Sequence, residues 1–158
     1  MKNKIIYEKL YKSPAVAAAA DCTEAALRQW RKRHDFLGGT VSGDMKEKKF
    51  SLLDVCATRA VALMTSQGIN APDAIWIVHH PFGAGRALRA LLVGDVENTP
   101  TMLAVMPGDP AKNEQFTFSP MRPNQFAATM ADSGGIMTVI DLNAINEHVL
   151  KFFDQSNK

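Results

Sequence analysis

The chain has little of what several common kinds of site require. Of its 158 residues only Cys22 and Cys56 are cysteine. Two are too few for a disulfide framework, and each stands among apolar neighbours as a small buried hydrophobe would. No apolar run reaches the ~18 residues that a membrane-crossing helix needs. The basic start MKNKIIYEKLYKSP has no apolar h-region, so no secretory signal is visible, and the expected location is the cytoplasm, at the nucleoid. Gly-x-Ser-x-Gly is missing, which removes the nucleophile elbow. Gly83-Ala84-Gly85-Arg86 lacks both the third glycine of a dinucleotide loop and the Gly-Lys-Ser/Thr of a P-loop, and reads better as a hinge between domains.

Titratable residues are equally sparse as constellations. His79-His80 is the one histidine pair. Neighbours on a helix point about 100° apart, and no further ligand follows at metal-site spacing. Asp132, Asp141 and Glu147 are isolated, so no carboxylate pair for acid–base work is defined. Phe116, Phe118 and Phe126 fit a core better than a ligand pocket, although pockets are also mostly apolar. With no catalytic constellation in view, the expectation is a non-enzyme without cofactor or metal.

What the chain does have is unevenly spread charge. Residues 1–50 carry 11 Lys/Arg against 6 Asp/Glu, and residues 51–158 carry 7 against 10, within a net charge of +2. A basic head on a mildly acidic body suits a polyanionic partner for the head. The head is dominated by Ala15–Arg33, AVAAAADCTEAALRQWRKR. Ser13-Pro14 opens a first helix running to about Ala20, with Pro at the first helical position. Its alanines let a second helix come close. Asp21 and Cys22 make the turn. Thr23 is a favourable N-cap for a helix running to about His34, with Glu24 in the first turn.

At 100° per residue, Ala26, Leu27, Trp30 and His34 share one face of that second helix. Glu24, Ala25, Arg28 and Lys32 share the other, with Arg31 at its edge. An apolar stripe backed by a basic one suits a recognition helix in a DNA groove, its back on a small core. Beyond Gly38-Gly39 the segment GGTVSGDMKEKKF reads as a β-hairpin wing whose Lys48 and Lys49 reach phosphates. Ser51 then caps a helix to about Gln67, and Pro72-Asp73 opens a shorter one with Ile75, Trp76 and Val78 inside.

From Ser13 to His79 these residues resemble the winged helix-turn-helix domain of MerR-type transcriptional regulators. The resemblance rests on Thr23, Leu27, Arg28 and Trp30 in the second helix. It continues through Lys48, Lys49 and Phe50 at the end of the wing, Asp54-Val55 in the next helix, and Gly68-Ile69 leading to the last. It implies sequence-specific binding of double-stranded DNA: Thr23 orients the helix, Glu24, Ala25 and Arg28 face base edges, and Arg31, Lys32, Lys48 and Lys49 hold phosphates. It does not extend to the family's long dimerising helix, which Pro81, Gly83, Gly85 and Gly94 forbid. The family's metal-sensing cysteines are also missing.

The second half changes period. GRALRALLV from Gly85 reads as a helix, Thr101–Met106, Glu114–Phe118 and Ile136–Asp141 as strands, Asn124–Met130 as a short helix, and Leu142–Phe153 as a final helix capped by Asp141. The expected fold is therefore α+β. A winged helix-turn-helix domain (residues 1–82) precedes a small α+β domain (residues 83–158) with a sheet of three or more strands, for dimerisation or partner binding. So small a second domain favours a homodimer, which also suits two half-sites on DNA. Whether a small-molecule effector exists is not legible. Two other readings use the same residues: a phage-type architectural or DNA-packaging protein, and a module docking an acidic protein partner.

Overall fold

The computed structural model describes residues 9–38 and 49–155. The proposed wing, apart from Gly38, Lys49 and Phe50, lies outside them. Among the described residues five helices come first: α1 (Ser13–Ala19), α2 (Glu24–His34), α3 (Leu52–Ser66), α4 (Ala71–His79) and α5 (Ala84–Leu92). Then follow β1 (Met102–Pro107), β2 (Phe116–Met121), α6 (Phe126–Asp132), β3 (Thr138–Asp141) and α7 (Leu142–Gln155), with short 3-10 turns at Pro110–Lys112 and Pro123–Gln125. The sheet is antiparallel in the order β2-β1-β3, pairing Leu103 with Pro120 on one side and with Ile140 on the other. An α+β fold with a sheet of three or more strands is what the change of period led us to expect, and the described residues form three, paired antiparallel.

Helix boundaries follow local chemistry. Thr23 Oγ1 accepts from the Ala26 N–H (3.0 Å), and Ser51 and Asp54 form a full capping box at the start of α3. Asn70 caps α4 through the Asp73 N–H (2.9 Å), and Asp141 caps α7 through the Ala144 N–H (3.0 Å). Helix α1 ends in a Schellman turn: the Cys22 N–H reaches the Ala17 carbonyl (3.0 Å) and the Asp21 N–H the Ala18 carbonyl (3.2 Å). Asp21 therefore takes φ +52°, where glycine is usual. Two bonds hold it there. Arg59 Nη1 donates to Asp21 Oδ2 (2.5 Å) and to the Ala20 carbonyl (3.2 Å).

Helix α3 is the centre of the packing, touching α1, α4, α5, α7 and β3. One apolar cluster runs from Val16 and Leu27 through Val55, Ala60 and Leu88 to Leu103, Ile140, Leu142 and Phe153. The core is thus continuous across the boundary expected between residues 82 and 83. Helix α7 closes it by lying on α1, α3 and α5, and Phe153 stacks on Tyr11 with ring centroids 3.9 Å apart. The physical reason is area: a short three-stranded sheet has one broad face to bury, and the helices of the first half supply the cover.

Two local expectations are corrected by this packing. Gly83-Ala84-Gly85 is not a hinge between separate cores. A Cβ on Gly83 would run into the Ile77 carbonyl oxygen, and one on Gly85 would lie 2.6 Å from the Val78 carbonyl oxygen. The glycines let the start of α5 press on the end of α4. Trp76, expected inside α4, is half exposed on its outer face, where its ring meets Phe118 and His80 edge to face at 5.3 and 5.1 Å.

Candidate nucleic-acid interface

Helix α2 is short, basic towards its end, and docked by one face. Leu27 and Trp30 are buried, and Trp30 meets Phe36 edge-on with centroids 6.3 Å apart. Phe36, fully buried, stacks in turn on His79 at the end of α4 (5.4 Å). This leaves Thr23, Glu24, Ala25, Arg28 and Lys32 exposed, with Gln29 and Arg33 beside them. Five of the residues singled out from sequence therefore share an open surface on one helix and its cap. Lys49 is exposed too. It precedes Phe50, which is tied to Tyr11 by a two-bond β-bridge (2.8 and 2.9 Å). Lys48 lies outside the described residues.

Arg31 is the correction. It was expected to reach phosphates from the edge of the basic face, but only 7% of it is exposed. Its guanidinium carbon lies 5.1 Å from the centroid of the Phe50 ring. Burial lowers its pKa from the ordinary arginine value. The cause is angular: Arg31 follows Trp30 by about 100°, which turns it towards the bridge joining Tyr11 and Phe50. Its long stem covers apolar surface while the charge rests on an aromatic face. Sequence gave a weak signal for this in Phe50, an isolated aromatic after a lysine run. Arg31→Ala is expected to cost about 1–2 kcal/mol of stability through the lost cation–π contact and packing. The salt dependence of any DNA affinity should stay as in the parent, to be measured by denaturant unfolding beside binding titrations.

Sequence reasoning missed the group that fixes the turn before α2. Asp21 takes Arg59 from α3 and also lies 3.5 Å from His148 Nε2 on α7. Arg59 thus holds the turn from α3, while His148 approaches it from α7. No local pattern announces partners separated by 38 and 127 residues in sequence.

Other candidate chemistry has structural employment. His80 ends α4, and its Nδ1 accepts from the Phe82 N–H (3.2 Å). Phe116 and Phe118 pack against the core, while Phe126 is exposed. Among the described residues no group of three or more His, Cys, Asp or Glu is placed to hold a metal ion. No helix there is long and apolar enough to cross a membrane.

Both cysteines are free thiols. Burial, with the Asp21 carboxylate adding to it, pushes Cys22 up to about 11, and burial pushes Cys56 up to about 12. A raised thiol pKa favours the neutral form in the fold, so this contribution to stability is intact below the ordinary value of 9.0 and is lost as pH rises through 11 and 12. Since thiolate is the reactive species, iodoacetamide at pH 8 should label neither cysteine appreciably in the native protein. Both should be labelled in guanidinium, as intact mass will register.

Comparison with protein-family models and with curated proteins gave no match to this chain.

Proposed function

We propose that this chain is a sequence-specific double-stranded DNA-binding protein that uses α2 as a recognition helix, and that it serves as a transcriptional regulator of the winged helix-turn-helix kind. The observation that carries the reading is the division of α2 into a buried face of Leu27 and Trp30 and an open face of Glu24, Ala25, Arg28 and Lys32. A helix held by its apolar side, with cations outward, has the form needed to enter a major groove. Thr23 caps the helix and fixes its first turn. Glu24, Ala25 and Arg28 face base edges, Arg28 being suited to guanine N7 and O6. Lys32, Lys48 and Lys49 hold phosphates, Lys48 preceding Lys49 at the end of the proposed wing. Arg31 supports the helix from behind. The word "regulator" comes from the likeness to MerR-type domains, while the residues themselves speak for DNA contact.

The test is retention of genomic DNA fragments by the purified protein, followed by sequencing of what is retained. Enrichment of one motif, with affinity falling steeply as salt is raised, supports the reading. Failure to hold duplex DNA at low ionic strength overturns it, as does binding to a protein partner that survives excess duplex.

A further inference from the structure

The close approach of α4 and α5 accounts for Gly83 and Gly85 but not for the polar groups around them. Gly83, at the N-cap position of α5, brings no side chain to bond the first turn, and that turn holds no acid. The N–H groups of Ala84, Gly85 and Arg86 meet no acceptor among the described residues. Arg86 adds a cation where the helix dipole is already positive, which is unfavourable unless an anion joins the two. Its guanidinium carbon lies 5.8 Å from the centre of the Phe82 ring, and no carboxylate of the described residues pairs with it.

A groove of about 490 Å³ opens at this end of α5. Gly83, Arg86, Ala87 and Ala90 line it, so it follows the helix for about 10 Å at 1.5 Å per residue. Pro100 and Pro120 add apolar lining. Asp95 and Asn98 line it as well, and the Asp95 N–H bonds the Ala90 carbonyl (3.0 Å), which puts this pair past the other end of the helix. Thr99 is an independent sign of a ligand. It lines the same groove and is 5% exposed. Its hydroxyl bonds to no described residue, yet that oxygen is not sealed from solvent. With no bond inside the protein, the hydroxyl is left for whatever enters the groove.

We infer that this groove binds a small phosphate ester whose organic part carries hydroxyl groups, the class of sugar phosphates and nucleoside monophosphates. The phosphate sits between the Arg86 guanidinium and the first-turn N–H groups of α5, with the Thr99 hydroxyl as a further donor. The volume lies within the range of about 300–1,000 Å³ usual for small-molecule sites, far more than a bare phosphate fills. The organic part runs along Ala87 and Ala90, and its hydroxyls donate to Asp95 and Asn98. The Asp95 carboxylate disfavours a second anionic group at that end, which selects against a polyphosphate or a nucleic-acid strand continuing through the groove.

The experiment is isothermal titration calorimetry of the full chain without nucleic acid. The probes are ribose 5-phosphate, glycerol 3-phosphate and adenosine monophosphate, with ribose and inorganic phosphate for comparison. At least one ester should bind about tenfold or more tightly than inorganic phosphate, as the added contacts require, and ribose should give no measurable heat. Arg86→Gln should weaken that ester about tenfold or more, and Thr99→Val, which keeps the side chain's shape, roughly threefold to tenfold. Arg89→Gln makes the same charge change at a residue that does not line the groove, and should leave the affinity as in the parent. Circular dichroism establishes that each variant is folded. Absence of binding by all three esters overturns the inference. Inorganic phosphate binding as tightly as the best ester overturns it too, as does parental affinity in Arg86→Gln or Thr99→Val, or a loss in Arg89→Gln equal to that in Arg86→Gln. Any of these results leaves the DNA reading untouched, since no residue on the open face of α2 takes part.

Discussion

Leu27→Ala is expected to lower the unfolding free energy by about 2–5 kcal/mol, the range for truncating a fully buried leucine. Leu27 is 1% exposed and is the main apolar anchor of α2 beside Trp30. Helix α2 has 11 residues, below the length at which an isolated helix persists in water, so its order depends on that docking. The loss should therefore appear twice. Urea unfolding should show a lower midpoint at unchanged slope. Amide exchange should speed up along α2 more than along α3, whose core contacts are retained. An unchanged midpoint would mean that α2 is not seated by this residue.

Arg28→Ala carries the second large effect, on recognition. If α2 reads a groove, the loss of a bidentate contact to guanine costs on the order of 1–3 kcal/mol at the preferred site and little at others. Arg28 is exposed, so stability should be unaltered. Lys49→Ala should instead weaken binding to all sequences alike and flatten the salt dependence by about one phosphate's worth. Anisotropy titrations on the enriched motif and on a scrambled duplex, each at several salt concentrations, separate the two outcomes. If Arg28→Ala lowered both affinities equally, Arg28 would be a phosphate contact and the rotation assigned to α2 would be wrong.

These two predictions sit on opposite faces of one helix, and the sequence told the faces apart. Apolar residues at 26, 27 and 30 against charged ones at 24, 28 and 32 fix the rotation of a helix with no help from the rest of the chain. The same local logic placed the caps at Thr23, Ser51 and Asp141, because a side-chain oxygen there satisfies N–H groups two or three residues on. It also placed all three strands within a few residues, since period two and β-branched composition are properties of short stretches.

Local pattern failed where a residue's fate depends on what arrives from elsewhere. Arg31 looked like a surface cation until the Tyr11–Phe50 bridge was brought over it. Trp76 looked like core until α4 turned its inner face, Ala74, Ile75, Ile77 and Val78, onto the other helices. Gly83 and Gly85 looked like a joint, and their reason is the close approach of two helices. Asp21 is held by Arg59 of α3 and approached by His148 of α7. The sequence by itself determined the elements, their caps and the split face of α2, because those follow from contacts within about four residues. Tertiary structure alone decided that both halves share one core and that, among the described residues, β3 forms an edge of the sheet. Packing area and strand order are properties of the assembled chain, and no stretch of it carries them alone.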